Sequence, residues 1–252
     1  DFTVDFDENV YITGSPRAQI TLGSGTVYAN YLSGTGTSSI IFRYTVANGN
    51  LDTDGLTMVS PLELNGGVLE DIATNAASLN YTLPNTSLIN IDGIPPTITS
   101  VTPPANANYK LGDNLDFVVN YDDNIDVTGI PRIPLTLTSG TVYATYLSGT
   151  GSANITYRYT VGATDIDIDG ITLVTPMQLN GGTIRDNNLN DAVLTYTLPN
   201  TSLVNVDGVV PTITSVTPPA NTTYKIGNNV DFTVNFDQTV DVVGTPRIAI
   251  TL

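Results

Sequence analysis

Thr97-Ile98-Thr99-Ser100-Val101-Thr102-Pro103-Pro104 returns letter for letter at 212–219, an offset of 115 residues. The same offset relates Asp1-Phe2, Asp116-Phe117 and Asp231-Phe232. It also relates Gly14-Ser15-Pro16-Arg17, Gly129-Ile130-Pro131-Arg132 and Gly244-Thr245-Pro246-Arg247, and it superposes Tyr81–Leu88 on an identical Tyr196–Leu203. Aligned without a gap, 68 of the 115 positions in 1–115 match those in 116–230. An internal repeat this long decides the architecture before any single residue does. Unit boundaries are expected at Asp92-Gly93-Ile94-Pro95-Pro96 and Asp207-Gly208-Val209-Val210-Pro211, which are turn-forming and stiffened by proline. Residues 97–211 then form one complete repeat, 1–96 a repeat lacking its first strand, and 212–252 the opening three strands of a third. On this reading the 252 residues are a window on a longer array.

Composition narrows the chemistry. The chain carries 24 acidic and 8 basic residues, no His, no Cys and no Trp. Disulfides, thiolate metal sites, Cys nucleophiles and His-based triads are therefore excluded. A net charge of −16 repels a phosphate backbone, so nucleic acid is not an expected partner. No apolar run approaches the roughly 18–20 residues that cross a bilayer, so this segment is not expected to insert into a membrane. Apart from Glu8, Glu63 and Glu70 the acids are all Asp. Asp, Asn, Gly and Thr favour turns and loop sites, whereas helical surfaces favour Glu and Lys. Together with 22 Gly and 15 Pro, this points to short strands joined by tight turns.

Period-two alternation supports that reading. In 114–121, Leu115, Phe117, Val119 and Tyr121 share one face. In 155–161, Ile155, Tyr157, Tyr159 and Val161 do the same. Further strands are expected near 97–102, 132–138, 141–147, 171–175, 179–185, 192–198 and 203–206, with a tight hairpin at Ser139-Gly140. Seven to nine strands in about 115 residues fit an all-β fold of tandem immunoglobulin-like Greek-key β-sandwiches.

The units containing "TITSVTPPANANYKLGDNLDFVVNY", "GIPRIPLTL", "VYATYLSGTG", "ITYRYTV", an Asp-x-Asp-Gly loop and "LNGGTIRD" resemble bacterial Ig-like tandem repeats of large secreted or surface adhesins. The resemblance covers the whole chain in register. It implies structural spacer or extender repeats on the bacterial cell surface, whose partners are neighbouring repeats of the same chain or identical chains in a fibre. It also implies calcium at domain junctions as a stiffening cofactor.

The residues offer their own case for that ion. Asp165-Ile166-Asp167-Ile168-Asp169-Gly170, matched by Asn50-Leu51-Asp52-Thr53-Asp54-Gly55, opens like a calcium loop, with oxygen ligands at alternate positions before a Gly. Pro176 and Pro61 stand where an EF-hand needs its Glu, so other ligands must come from elsewhere. Tracing the expected strands puts a loop at Asp122-Asp123 at the pole facing the preceding unit, and Asp165–Asp169 at the opposite pole. One junction would gather Asn50, Asp52, Asp54, Asp92, Asp122 and Asp123, and the next Asp165, Asp167, Asp169, Asp207 and Asp237. Hard oxygen ligands without His or Cys select Ca²⁺. The alternative is a set of solvated Asp-Gly turns.

Other features have plainer readings. Arg43 and Arg158, each between aromatics, are expected to cover a sheet face by cross-strand pairing rather than to bind sugar. Arg17, Arg132 and Arg247 follow Pro and are expected to neutralise local Asp. The pairs Tyr28/Tyr143, Tyr31/Tyr146 and Tyr44/Tyr159 recur at the repeat offset and fit core positions. No nucleophile, base and orienter come together in the sequence, so no enzyme activity is expected. Two rival functions remain. One is a filament subunit completed by strands of neighbouring chains, against which 231–252 duplicates 1–22 rather than completing it. The other is a carbohydrate- or protein-binding module.

Overall fold

A computed structural model describes residues 1–251, and among them every regular element is a β-strand. In the first unit these are β1 (Phe2–Thr13), β2 (Arg17–Leu22), β3 (Gly25–Ser33), β4 (Thr37–Arg43), β5 (Leu51–Asp52), β6 (Thr57–Glu63), β7 (Val68–Glu70) and β8 (Ile91–Asp92). The second opens with β9 (Ile98–Thr102) and β10 (Ala107–Lys110). It continues with β11 (Asn114–Thr128), β12 (Arg132–Leu137), β13 (Gly140–Ser148), β14 (Ser152–Thr160), β15 (Ile166–Asp167), β16 (Thr172–Leu173), β17 (Thr183–Arg185) and β18 (Val204–Asp207). Residues 212–251 contribute β19 (Ile213–Thr217) and β20 (Thr233–Phe236). The expected third strand of this last stretch is not formed. Its counterpart β12 is paired by β13 and β16, which have no equivalents in 212–251.

The two larger sheets share one strand order, β6-β2-β3-β4-β1-β7 and β16-β12-β13-β14-β11-β17. In the second unit β11 and β12 lie at different places in the order yet are joined by only residues 129–131, so the sheet must curl back on itself. A bulge makes this possible. β11 pairs with β14 up to Asn120↔Asn154, resumes at Ile125↔Ser152, and then crosses to β17 through Asp126↔Arg185. Extra residues on one side of a ladder bend and twist the strand. Asp122 and Asp123 therefore sit on a bulge inside a 15-residue strand, not in an inter-strand loop as the alternation suggested.

Side-chain alternation holds where it was strongest. Leu115, Phe117, Val119, Ile155, Tyr157 and Val161 are buried in one apolar cluster with Ile133, Leu135 and Ile184. The first unit has its own cluster around Ala18, Ile20, Ile40, Phe42 and Leu69. Each core burying about 25 cal/mol per Å² of apolar surface is the main stabilising term for its unit. The expected strand at 192–198 does not form. That segment packs Leu194 and Tyr196 onto the core while its backbone bonds singly, Met177 N–H to the Leu194 carbonyl and Tyr196 N–H to Thr175 Oγ1. β10 was not anticipated; it runs parallel to β18, from Ala107↔Val204 to Lys110↔Asp207.

Candidate functional site

The Asp-x-Asp-Gly segment folds as a tie, and both copies do it alike. In the second unit Ile166 N–H donates to Ser139 Oγ, Ser139 N–H donates to the Ile166 carbonyl, and Thr138 N–H donates to Asp167 Oδ2 at 3.0 Å. In the first, Leu51, Ser24, Gly23 and Asp52 repeat the pattern, with Gly23 N–H to Asp52 Oδ2 at 2.8 Å. The middle Asp thus clamps the tip of the β2–β3 or β12–β13 hairpin. Asp52 and Asp167 are each 4% exposed, and in each the second oxygen, Oδ1, has no hydrogen-bond partner.

The Gly of the motif has a packing reason. Gly170 has φ +105°, and a Cβ there would stand 2.5 Å from Ser202 Cα; Gly55 meets Ser87 in the same way. Only a residue without Cβ tolerates both the backbone angle and the approach.

The flanking oxygens are largely engaged. Asp165 is buried and accepts from Tyr159 O–H and from Gly162 N–H. Burial first, then this bond to a carboxylate, pushes the Tyr159 phenol well above its ordinary value. Asn50 takes the same role, accepting from Tyr44 O–H and Ala47 N–H. Asp54 and Asp169 point to solvent.

At the linkers the acids act as turn and strand clips. Asp122 accepts from Thr97 N–H at 2.7 Å and Thr97 O–H at 2.6 Å, and Asp237 accepts from both groups of Thr212. Those two bonds hold the Asp237 carboxyl below the usual range. Asp123 Oδ1 accepts from Asn124 N–H, and Asp207 Oδ1 from Val209 N–H. Asp92 is bound from the next unit: its Oδ1 accepts from Ile94 N–H, its Oδ2 from Asn188 Nδ2 at 2.6 Å, and its carbonyl from Asn190 Nδ2 at 3.2 Å. Asn188 and Asn190 were absent from the sequence reading. Their signal, an Asn-rich turn at 187–190, is indistinguishable from an ordinary loop. They are held in turn by Asp186, which is buried and accepts from Asn188 N–H, Asn190 N–H and Asn190 Nδ2.

Of the eleven residues expected at metal sites, Asp92, Asp122 and Asp123 border one open cleft of ≈ 300 Å³ together with Leu51 and Pro96. Asp167 on β15 and Asp207 on β18 stand one register step apart, and Asp165, just before β15, accepts Gly208 N–H on its carbonyl. Asn50, Asp52 and Asp54 turn to separate partners or to solvent, as do Asp169 and Asp237. Among the described residues no three acidic side chains converge closely enough to hold a metal ion.

The arginines and tyrosines fall into two layers. Arg158 pairs with Asp116 across β14 and β11 through Nε and Nη2, both at 2.6 Å, and Arg43 pairs with Asp1. Arg17 bonds Glu63 rather than an Asp and stacks over Tyr28; Arg132 bonds Gln178 and stacks over Tyr143. Tyr28 and Tyr143 are thus outer-face platforms for arginine, not core residues. Tyr31 and Tyr146 do pack edge-on against Phe42 and Tyr157.

Compared with known proteins, the chain matches no family model, no curated protein and no solved structure.

Proposed function

We propose that this chain is a run of immunoglobulin-like β-sandwich repeats serving as a stiff spacer of an extracellular bacterial surface protein, with neighbouring repeats of the same chain as its partners. The observation that carries the reading is the grip of Asn188 and Asn190 on Asp92. It ties the residue that ends one unit to a loop of the next, across a linker stiffened by Pro95 and Pro96. Strand order supports it as well: β12-β13-β14-β11 is the order of a Greek key, in which a hairpin-connected run is flanked by the strand before it. At about 3.3 Å per residue, strands of this length would give each repeat roughly 35–45 Å of reach. A thin, predominantly negative charge would keep neighbouring rods apart.

Direct hydrogen bonds and prolines are the stiffeners this geometry favours. Calcium at the junctions is the competing stiffener. To reach the cleft beside Asp92 it would displace Thr97 from Asp122 or Asn188 from Asp92. Small-angle scattering of the 252-residue chain in calcium and in EDTA separates the two. An extended particle unchanged by EDTA is expected. A particle that lengthens only in calcium assigns the stiffness to the cation, and a compact particle in both conditions defeats the spacer reading.

A further inference from the structure

Across the outer face of each larger sheet runs one transverse row of polar side chains, and its two copies differ in charge. In the first unit the row is Glu63, Arg17, Asn30 and Arg43, set by the register Arg17↔Glu63, Arg17↔Asn30 and Asn30↔Arg43. In the second it is Gln178, Arg132, Thr145 and Arg158, set by Arg132↔Gln178, Arg132↔Thr145 and Thr145↔Arg158. Arg43 and Arg158 are neutralised alike, by Asp1 and by Asp116. The other end of the row is not alike. Glu63 Oε2 accepts from both Nε and Nη2 of Arg17, each at 2.8 Å. Gln178 accepts from Arg132 Nε at 2.9 Å through its one oxygen, and its nitrogen is a donor that can accept nothing further from the guanidinium. Among the described residues Arg132 makes no ion pair.

That uncompensated guanidinium is held firmly. The Arg132 backbone N–H and carbonyl both bond the Gln178 backbone, Nε is tied as above, and Cζ stands 3.8 Å from the ring centroid of Tyr143. A fork fixed in this way loses little freedom when it takes a partner. Between Arg132 and Arg158, whose strands lie about 10 Å apart on either side of β13, stands Thr145, exposed and smaller than its counterpart Asn30.

We propose that the row around Arg132 is a binding site for the carboxylate of a short acidic saccharide, a uronate. A carboxylate is the group that fills the same position in the first unit, and a guanidinium fork takes it through two parallel bonds. The groups beside it for the rest of the ligand are the Thr145 and Tyr143 hydroxyls and the Gln178 amide, which suit sugar hydroxyls. A peptide fits less well, because β13 is hydrogen-bonded to β12 on one side and to β14 on the other and has no free main-chain groups to offer it. The net charge of −16 repels long polyanions, which restricts the fit to short ones. The inference goes beyond the spacer reading and does not depend on it.

Titration of the ¹⁵N-labelled 252-residue chain with trigalacturonate in EDTA tests the site, and the first unit serves as the control within the same molecule. Shifts are expected at Thr145, Gln178 and Arg132 Nε–H, with none at Asn30 or Arg17. The fully methyl-esterified trisaccharide keeps the hydroxyls and loses the charge, and it should bind about tenfold more weakly, as should the acid to Arg132→Gln. Gln178→Glu rebuilds the ion pair that the first unit already houses, so it should weaken binding by the same factor without lowering the melting temperature. No shift at Thr145 and Gln178, shifts of equal size at Asn30, a methyl ester as effective as the acid, or undiminished binding by Gln178→Glu would each overturn the proposal. Sulfate or triglutamate matching the trisaccharide at equal concentration of charge would overturn the assignment to a saccharide.

Discussion

Asn188 Nδ2 donates to Asp92 Oδ2 over 2.6 Å, although 96 residues separate them in the chain. The Asn sits on a loop organised by buried Asp186, and the Asp ends the last strand of the preceding unit. A charge-assisted bond of this kind is stronger than a neutral one and fixes direction as well as distance. On the proposed spacer reading it gives the linker one preferred angle.

Asn188→Ala should loosen that joint without unfolding either unit. The expected result is a broader distribution of interunit distances, read by spin labels placed on β3 and β13, with both melting transitions moved by less than about 0.5 kcal/mol, as for surface substitutions generally. A narrow distribution identical to the parent would show that the prolines alone set the angle.

The middle and last acids of the Asp-x-Asp-x-Asp-Gly run, Asp167 and Asp169, should behave very differently. Asp167→Ala removes the acceptor for Thr138 N–H inside the hairpin clamp and should destabilise the second unit by about 1–3 kcal/mol. Asp169→Ala, on an exposed side chain, should stay within about 0.5 kcal/mol. Thermal melts read both. Equal losses at the two positions, appearing only in calcium, would mean that the run acts as a cation loop.

Gly170→Ala should cost more than an ordinary Gly replacement. The backbone angle alone stores on the order of 1–3 kcal/mol for a residue with a Cβ, and the 2.5 Å approach to Ser202 Cα adds overlap that cannot relax without moving the 199–203 loop. Denaturant unfolding would show it. A loss under about 0.5 kcal/mol would indicate that the loop moves freely.

Acid should weaken the β11–β14 pairing in a defined window. The Arg158 hydrogen bond holds the Asp116 carboxyl below its ordinary 3.8, and Arg158 is itself pushed up and stays charged. A lowered carboxylate value means that the pair's stabilisation is complete above 3.8 and is lost as pH falls through the folded-state value. The difference in melting temperature between the parent and Asp116→Asn should therefore be constant from neutral pH down to mild acid and shrink below 3.8. Both side chains are partly exposed, so the difference should be small and should fall with salt. A difference that persists in strong acid would assign the effect to packing.

The fold was readable where alternation was strict. Leu115 to Tyr121 and Ile155 to Val161 declare their inner face because one side of each strand meets the core and the other meets solvent. Alternation says nothing about a bulge, so the continuation of β11 through Asp122 and Asp123 was hidden. The sequence there, Asp-Asp-Asn, reads as a turn. β10 was hidden for a different reason: Ala107–Lys110 has no period, and its parallel partner lies 97 residues away. In the candidate site, spacing singles out Asp165, Asp167 and Gly170 but does not give their partners in the fold. Three carboxylates at alternate positions look the same whether they surround an ion or clamp a hairpin. The distinguishing partners are Thr138 and Ser139 at the β12–β13 turn, Tyr159 on β14 and Ser202 in the 199–203 loop.

Stiffness between units is read by ¹⁵N relaxation on the 252-residue chain. If Asn188, Asn190 and the prolines hold the joint, amides of β1–β8 and of β11–β18 should report one common anisotropic tumbling tensor, at the correlation time of the whole particle. Two separate, shorter correlation times, one for each unit, would mean that the linker is a free hinge and would contradict the account.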